Sequence, residues 1–230
     1  LGYYSRARNL HTAARQIMDD FGGLFPKNYR DVLSLKGIGE YTAAAICSFA
    51  YRQPYAVVDG NVYRVLARLF DIDVPIDSTQ GKKLFVKLAS DLLDKKRPDV
   101  YNQAIMELGA LQCVPRSPHC ELCPLSDKCL SLISGRVEKL PVKQGKTVVK
   151  PRFFNYLCIS YQGDTWMRQR KGKDIWENLY EFVLIETDKE YSFEELQHTE
   201  EYCRIFNGLG KVKVTALPLQ KRHVLSHRII

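Results

Sequence analysis

Four cysteines stand within seventeen residues: Cys113, Cys120, Cys123 and Cys129, in a C-x6-C-x2-C-x5-C run. Thiolates at that density are soft ligands, and the chemistry they offer is a metal centre. Tetrahedral zinc and a [4Fe–4S] cluster both accept such a set. Zinc sites more often use two C-x2-C knuckles, and only one is present, which favours the cluster. Pro115, Pro118 and Pro124 stiffen the intervening loop. The chain holds seven cysteines, an odd number, and no secretory segment, so a disulfide framework is a poor reading. Cys47, Cys158 and Cys203 lie in apolar or strand-like surroundings and read as small buried side chains.

A second group is the pentapeptide Leu35-Lys36-Gly37-Ile38-Gly39, which separates two helical patterns. Gly37, Ile38 and Gly39 make a turn whose backbone comes close to a ligand without a Cβ in the way. Free amides at the start of the following helix then face a phosphate, a sequence-independent hold on a nucleic-acid backbone. A G-x-G turn also closes ordinary helical hairpins. Twenty residues past Gly39 comes Val57-Val58-Asp59-Gly60-Asn61. Asp59 reads as a helix N-cap, and equally as a carboxylate placed to stabilise positive charge in a cleft.

These groups need elements to position them. A chain of 230 residues with 45% hydrophobic and 26% charged residues folds as one large domain or two ordinary ones. No run approaches the roughly 18 apolar residues of a membrane span. Lys and Arg total 34 against 26 Asp and Glu, a net +8 that favours a polyanionic partner. The first 130 or so residues read as helices. Leu10, Ala14, Ile17, Met18 and Phe21 fall at helical spacing, ended by Gly22-Gly23. Leu84, Phe85, Leu88 and Leu92 mark another helix, with Ser78 and Thr79 as cap candidates and Pro98 as its stop. Asp99 then caps a helix carrying Ile105, Leu108 and Leu111. All three apolar stripes are expected to face the core.

Residues 136–152 lose any period, gather cations and contain Pro141, Gly145 and Pro151, the pattern of an interdomain linker near a polyanion. Beyond them the chain turns β-rich at 153–161, 165–169, 179–185, 212–219 and 222–230, with Ser192-Phe193-Glu194-Glu195 a capping box between. The division is thus 1–135 all-α, 136–152 linker and 153–230 α+β. The chain starts at Leu1 and ends at Ile230 inside a strand pattern, and both ends read as cut.

Taken together, the hairpin, the Asp59 turn and the four-Cys loop resemble, in order and spacing, the helix–hairpin–helix superfamily of DNA glycosylases, on its iron–sulfur branch. The adenine-excising members are the nearest likeness, through Gly2-Tyr3-Tyr4, the Tyr101–Ala110 helix before the loop, and Trp176–Phe182 in the second lobe, which resembles a Nudix-like domain. The resemblance implies a multi-domain protein: an all-α glycosylase domain with a [4Fe–4S] loop, then an incomplete Nudix-like domain. It implies a monofunctional enzyme that hydrolyses the N-glycosidic bond of adenine mispaired with 8-oxoguanine or guanine. Its partner would be double-stranded DNA, its state a monomer, its place the bacterial cytoplasm at the nucleoid.

The same resemblance assigns roles. Asp59 stabilises the oxocarbenium-like sugar, Tyr41 and Asn61 line the pocket, and Tyr3 wedges into the duplex. Gly37, Ile38 and Gly39 hold the backbone, and the four cysteines hold the cluster. Ser226 and His227 match the loop that reads 8-oxoguanine, although Leu225 replaces that loop's usual Phe. Members that cleave the strand place a Lys nucleophile after the hairpin; Tyr41 stands there, and Lys36 lies on the other side of the turn. An endonuclease III-like lyase is therefore the weaker alternative. The family's proton donor is a Glu on a helix before Gly-Tyr-Tyr, a segment this sequence lacks, so this chain alone is expected to bind DNA without excising adenine. The second lobe has no G-x5-E-x7-R-E-x2-E-E box, which points to recognition and away from pyrophosphate cleavage.

Overall fold

The computed structural model describes residues 4–145, 149–210, 212–213, 215, 221–225 and 228–230. The chain divides into two compact units, Leu1–Lys146 and Thr147–Ile230.

The first unit is helical. In chain order it contains α1 (Tyr4–Phe21), α2 (Tyr29–Ser34), α3 (Glu40–Tyr51), α4 (Gly60–Leu69), α5 (Thr79–Leu92), α6 (Pro98–Glu107), a π-helical turn (Leu108–Gln112) and α7 (Leu130–Ile133). Helix α4 is the hub. Its Val62, Leu66 and Ala67 are buried with Ile76, Phe85, Ala89 and Leu140, and Tyr63 meets Phe85 edge-to-face at 5.4 Å. Fully burying a side chain such as Leu66 or Phe85 contributes about 1.5–3 kcal/mol. A smaller core joins α2 and α3 through Val32, Ala43 and Cys47. Ser78 caps α5 by accepting from the Gly81 amide. No helix among the described residues is long and apolar enough to cross a membrane.

The second unit contains β1 (Lys150–Pro151), β2 (Phe153–Leu157), β3 (Ser160–Tyr161), β4 (Asp164–Thr165), β5 (Met167–Gln169), β6 (Tyr180–Thr187), α8 (Phe193–Gln197), α9 (Glu200–Phe206) and β7 (Arg228–Ile229). Strands β2, β6 and β5 form an antiparallel sheet, with Phe153 opposite Thr187 and Met167 opposite Phe182. Ile185, Leu196 and Tyr202 join it to α8 and α9. The Ser192–Glu195 capping box forms as the sequence indicates. An arginine–carboxylate lattice ties the strands together. Arg152 donates to both Asp174 oxygens at 2.8 Å and also pairs with Glu186, while Arg170 pairs with Asp174 at 2.9 Å and Glu181 at 2.6 Å.

Several sequence expectations need correction. On α1 only Ala13 is buried, and Leu10 and Met18 are 73% and 66% exposed, because few described residues pack on that stripe. Leu111 is 74% exposed, since the helix widens into a π turn after Glu107 and shifts the helical phase that would have faced it inward. Asp99 does not cap α6: Arg97 holds the cap position, Pro98 opens the helix at its first position, where a missing amide costs nothing, and Asp99 pairs with Arg52 at 3.3 Å. Cys158 and Cys203 are exposed, and Cys47 alone of the three is buried. The first ten residues of the expected linker are packed on the helical unit. Arg136 pairs with Asp71 and Asp73, Leu140 is 2% exposed, and Asp77 accepts from the Gln144 and Gly145 amides. Arg136 meets carboxylate partners that lie 65 and 63 residues earlier, a pairing that local sequence does not display. In the 212–219 stretch, described residues 212–213 and 215 carry no strand, and the rest lies outside the described residues.

Candidate active site and iron–sulfur loop

Asp59 caps α4, as its position before a helix requires. One carboxylate oxygen accepts from the Asn61 and Val62 amides, both at 2.8 Å, and the other accepts from the Asn61 side-chain amide at 3.0 Å. Both sequence readings are therefore compatible: the cap fixes the orientation of a half-buried carboxylate at a helix N-terminus, where negative charge is favoured. Asn61 is held in turn. Its side-chain oxygen accepts from Arg64 Nη2 at 2.8 Å, and the Arg64 guanidinium reaches the Gly109 carbonyl at 2.6 Å and the Cys113 carbonyl at 2.7 Å. Burial pulls the Arg64 guanidinium below its ordinary pKa, with neighbouring Arg68 acting in the same direction. A line of hydrogen bonds thus runs from Asp59 to the first cysteine of the loop.

The π turn makes this contact possible. A Cβ at Gly109 would stand 2.6 Å from the Asn61 Cβ, so only glycine admits this approach of the turn to α4. Upstream, Asn102 on α6 is 1% exposed; it accepts from the Val57 amide at 3.0 Å and donates to Ser48 Oγ and the Tyr55 carbonyl. It pins the strand-like segment two residues before Asp59. Arg64, Arg68 and Asn102 were missed in the sequence. Their signal was available: polar residues standing among the apolar positions of two helices, with Asn61, Arg64 and Arg68 on one face of α4.

The hairpin turns between α2 and α3. The Ile38 amide donates to the Leu35 carbonyl at 3.1 Å, and Gln16 of α1 accepts from the Lys36 amide at 2.7 Å. Gly37 has φ +82°, and a Cβ there would meet Asn9 at 2.6 Å. Gly39 differs: its φ is −100°, and a Cβ there would point into open space. Gly39 supplies no side-chain cap to α3, so the first-turn amides face outward without one. Tyr41 is 45% exposed on that first turn. Asp59 and Asn61 are joined directly; Tyr41 makes no hydrogen bond to either among the described residues. Tyr3, Ser226 and His227 lie outside the described residues.

The four cysteines line one small cavity of about 30 Å³, with Arg68, Gln112, His119, Ser126 and Leu132 on its wall. Burial and the neighbouring thiols push Cys120 up, since each thiolate disfavours the next until a cation offsets them. A single zinc ion, with Zn–S bonds of about 2.3 Å, gathers its ligands tightly. Thiols spread around a common cavity fit a cluster whose irons sit at separate corners, each bound by one cysteine.

Comparison with known proteins agrees with this geometry. Residues 1–89 match the family described as HhH-GPD superfamily base excision DNA repair protein, and residues 113–129 match the iron-sulfur binding domain of endonuclease III. The helical unit belongs to the HhH-GPD superfamily and carries its [4Fe–4S] loop. Within that class the chain is similar to curated adenine DNA glycosylases. It is 33% identical to that of Buchnera aphidicola subsp. Baizongia pistaciae over 183 residues, 79% of this chain and 52% of the relative. It is 45% identical to that of Arabidopsis thaliana over 163 residues, 69% of this chain and 26% of the relative. The human counterpart is 45% identical over 130 residues, 56% of this chain and 24% of the relative. The chain thus spans about half the length of the bacterial relative and less of the two larger ones. Among solved structures it resembles a thermostable thymine-DNA glycosylase, with TM-score 0.52 and 32% identity over 56% of this chain and 59% of that one. It also resembles endonuclease III in a non-covalent DNA complex, with TM-score 0.50 and 26% identity over 58% of this chain and 60% of that one.

Proposed function

We propose that the whole protein is a monofunctional base-excision glycosylase that hydrolyses the N-glycosidic bond of adenine mispaired with 8-oxoguanine or guanine. The observation that carries this reading is the fixed Asp59 carboxylate, oriented by the helix cap and by Asn61. As adenine leaves, positive charge develops at the sugar, and a preorganised carboxylate stabilises it more strongly than the uncharged ground state. Water then takes the anomeric carbon. The target base must leave the stack to reach Asp59, and the hairpin amides supply the duplex with a hold that is blind to sequence. Tyr41 lines the pocket from the exposed first turn of α3. We assign the adenine's proton donor to no residue of this chain. The cluster, held by Cys113, Cys120, Cys123 and Cys129, supplies a cross-link that shapes its loop and takes no part in the hydrolysis.

The second unit we read as a Nudix-like recognition domain in which Ser226 and His227 read the oxidised guanine, and to Tyr3 we assign the wedge into the duplex. The DNA-bound form is a monomer on one lesion. The experiment presents the whole protein with duplexes carrying adenine opposite 8-oxoguanine, adenine opposite guanine, or an oxidised pyrimidine, each with and without borohydride. Release of adenine from the first two, with no trapped covalent adduct, supports the reading. Excision of the oxidised pyrimidine with a trapped adduct would replace it with the endonuclease III-like lyase.

A further inference from the structure

The far end of α4 carries a second buried arginine that the proposed hydrolysis does not use. Arg68 is 2% exposed. Its Nε donates to the Val137 and Leu140 carbonyls at 2.9 and 3.1 Å, Nη1 to the Val114 carbonyl at 2.7 Å and to Cys113 Sγ at 3.4 Å, and Nη2 to the Pro115 carbonyl at 3.0 Å. Cys129 Sγ lies 3.6 Å from the Arg68 carbonyl oxygen. These acceptors are carbonyls and a sulfur, with no carboxylate among them. A guanidinium so deeply buried needs a compensating negative charge. Among the described residues lining the adjoining cavity there is no Asp or Glu, and the groups able to carry that charge are the four cysteines.

We propose that Arg68 is the positioning residue of the cluster, supplying its buried counter-charge and an N–H···S bond to Cys113. This rests on the loop carrying a [4Fe–4S] cluster and not on the base-excision reading. Two consequences follow from the geometry. The planar fork ties the start of the loop (Val114, Pro115) to the segment that leaves it (Val137, Leu140), so it governs how firmly the cluster is held. Lysine keeps the charge but cannot span those acceptors. The positive charge and the hydrogen bond to sulfur favour the more reduced, more negative cluster and so raise its reduction potential.

The test uses the 230-residue chain loaded with iron and sulfide, as wild type, Arg68→Met and Arg68→Lys. Three quantities are read: iron release to a chelator, reduction potential by film voltammetry, and helix content by circular dichroism. Arg68→Met is expected to release iron about tenfold faster or more, with a potential shifted negative. Arg68→Lys is expected to release iron faster than wild type, with a smaller negative shift. A purely structural clamp would change release and leave the potential where it was, so a folded, loaded Arg68→Met chain at the wild-type potential overturns the proposal. If Arg68→Met fails to fold, a folded Arg68→Lys chain with wild-type release and potential overturns it instead. A wild-type chain that binds zinc and takes up no iron–sulfur cluster removes the cluster reading and this proposal together, leaving the glycosylase reading to its own assay.

Discussion

Asp59 has two duties that one substitution can separate. Asparagine is as good an N-cap as aspartate, whereas alanine loses the cap at a cost of about 1 kcal/mol. Asp59→Ala is therefore expected to lower both stability and activity; Asp59→Asn keeps the cap, gives up the bond from the Asn61 side-chain amide, and is expected to lower activity far more than stability, as thermal melts beside excision assays will show. Asn102 belongs to the same scale. Replacing it with Ala strands the Val57 amide and the Ser48 hydroxyl in the interior, at an expected cost of about 1–3 kcal/mol in denaturant unfolding. The cysteine loop and Asp59 were legible in the sequence because residue type and short spacing carry their chemistry. Arg64, Arg68 and Asn102 show in the sequence only as polar residues at apolar helix positions, and what they bond does not show, since partners of theirs lie 45 to 72 positions away.

At the scale of elements, the hairpin's two glycines look alike in sequence and differ in structure. Gly37 sits at φ +82° against Asn9, while Gly39 sits at an ordinary φ beside open space. Gly37→Ala is expected to destabilise the helical unit by about 1 kcal/mol or more. Gly39→Ala, at the N-cap of α3 where alanine is a poorer cap than glycine but meets no clash, is expected to cost less stability than Gly37→Ala and, on the proposed hairpin hold, to weaken duplex binding. Fluorescence anisotropy with a labelled duplex, set beside thermal melts, distinguishes the two. Helix α4 shows what periodicity alone misses. Its apolar face was legible, but the π turn that lets Gly109 meet Asn61 leaves no periodic signature, so Leu111 was assigned inward and found outward.

For the molecule as a whole, the order of a helical unit followed by an α+β unit was legible from the change in hydrophobic period. The reach of the linker was not, because Asp71, Asp73 and Asp77 claim its first residues across a long sequence gap. Acid should weaken the second unit through Asp174. Hydrogen bonds from Arg152 hold the Asp174 carboxyl down to about 2, against an ordinary value of 3.8. A depressed carboxylate contributes stability that is present above its unfolded value and lost as pH falls through the folded one. The second unit is thus expected to lose stability between about pH 4 and pH 2, a step that Asp174→Asn removes. Both tryptophans, Trp166 and Trp176, lie in that unit, so intrinsic fluorescence follows it selectively. The central claim is that a fixed, charged Asp59 drives cleavage of the adenine bond. The most direct measurement is the single-turnover rate of adenine release opposite 8-oxoguanine by the whole protein, wild type against Asp59→Asn, with melts run in parallel. The account predicts a fall of about 10²–10³ in rate with a melt lowered less than that of Asp59→Ala; a wild-type rate from Asp59→Asn would contradict it.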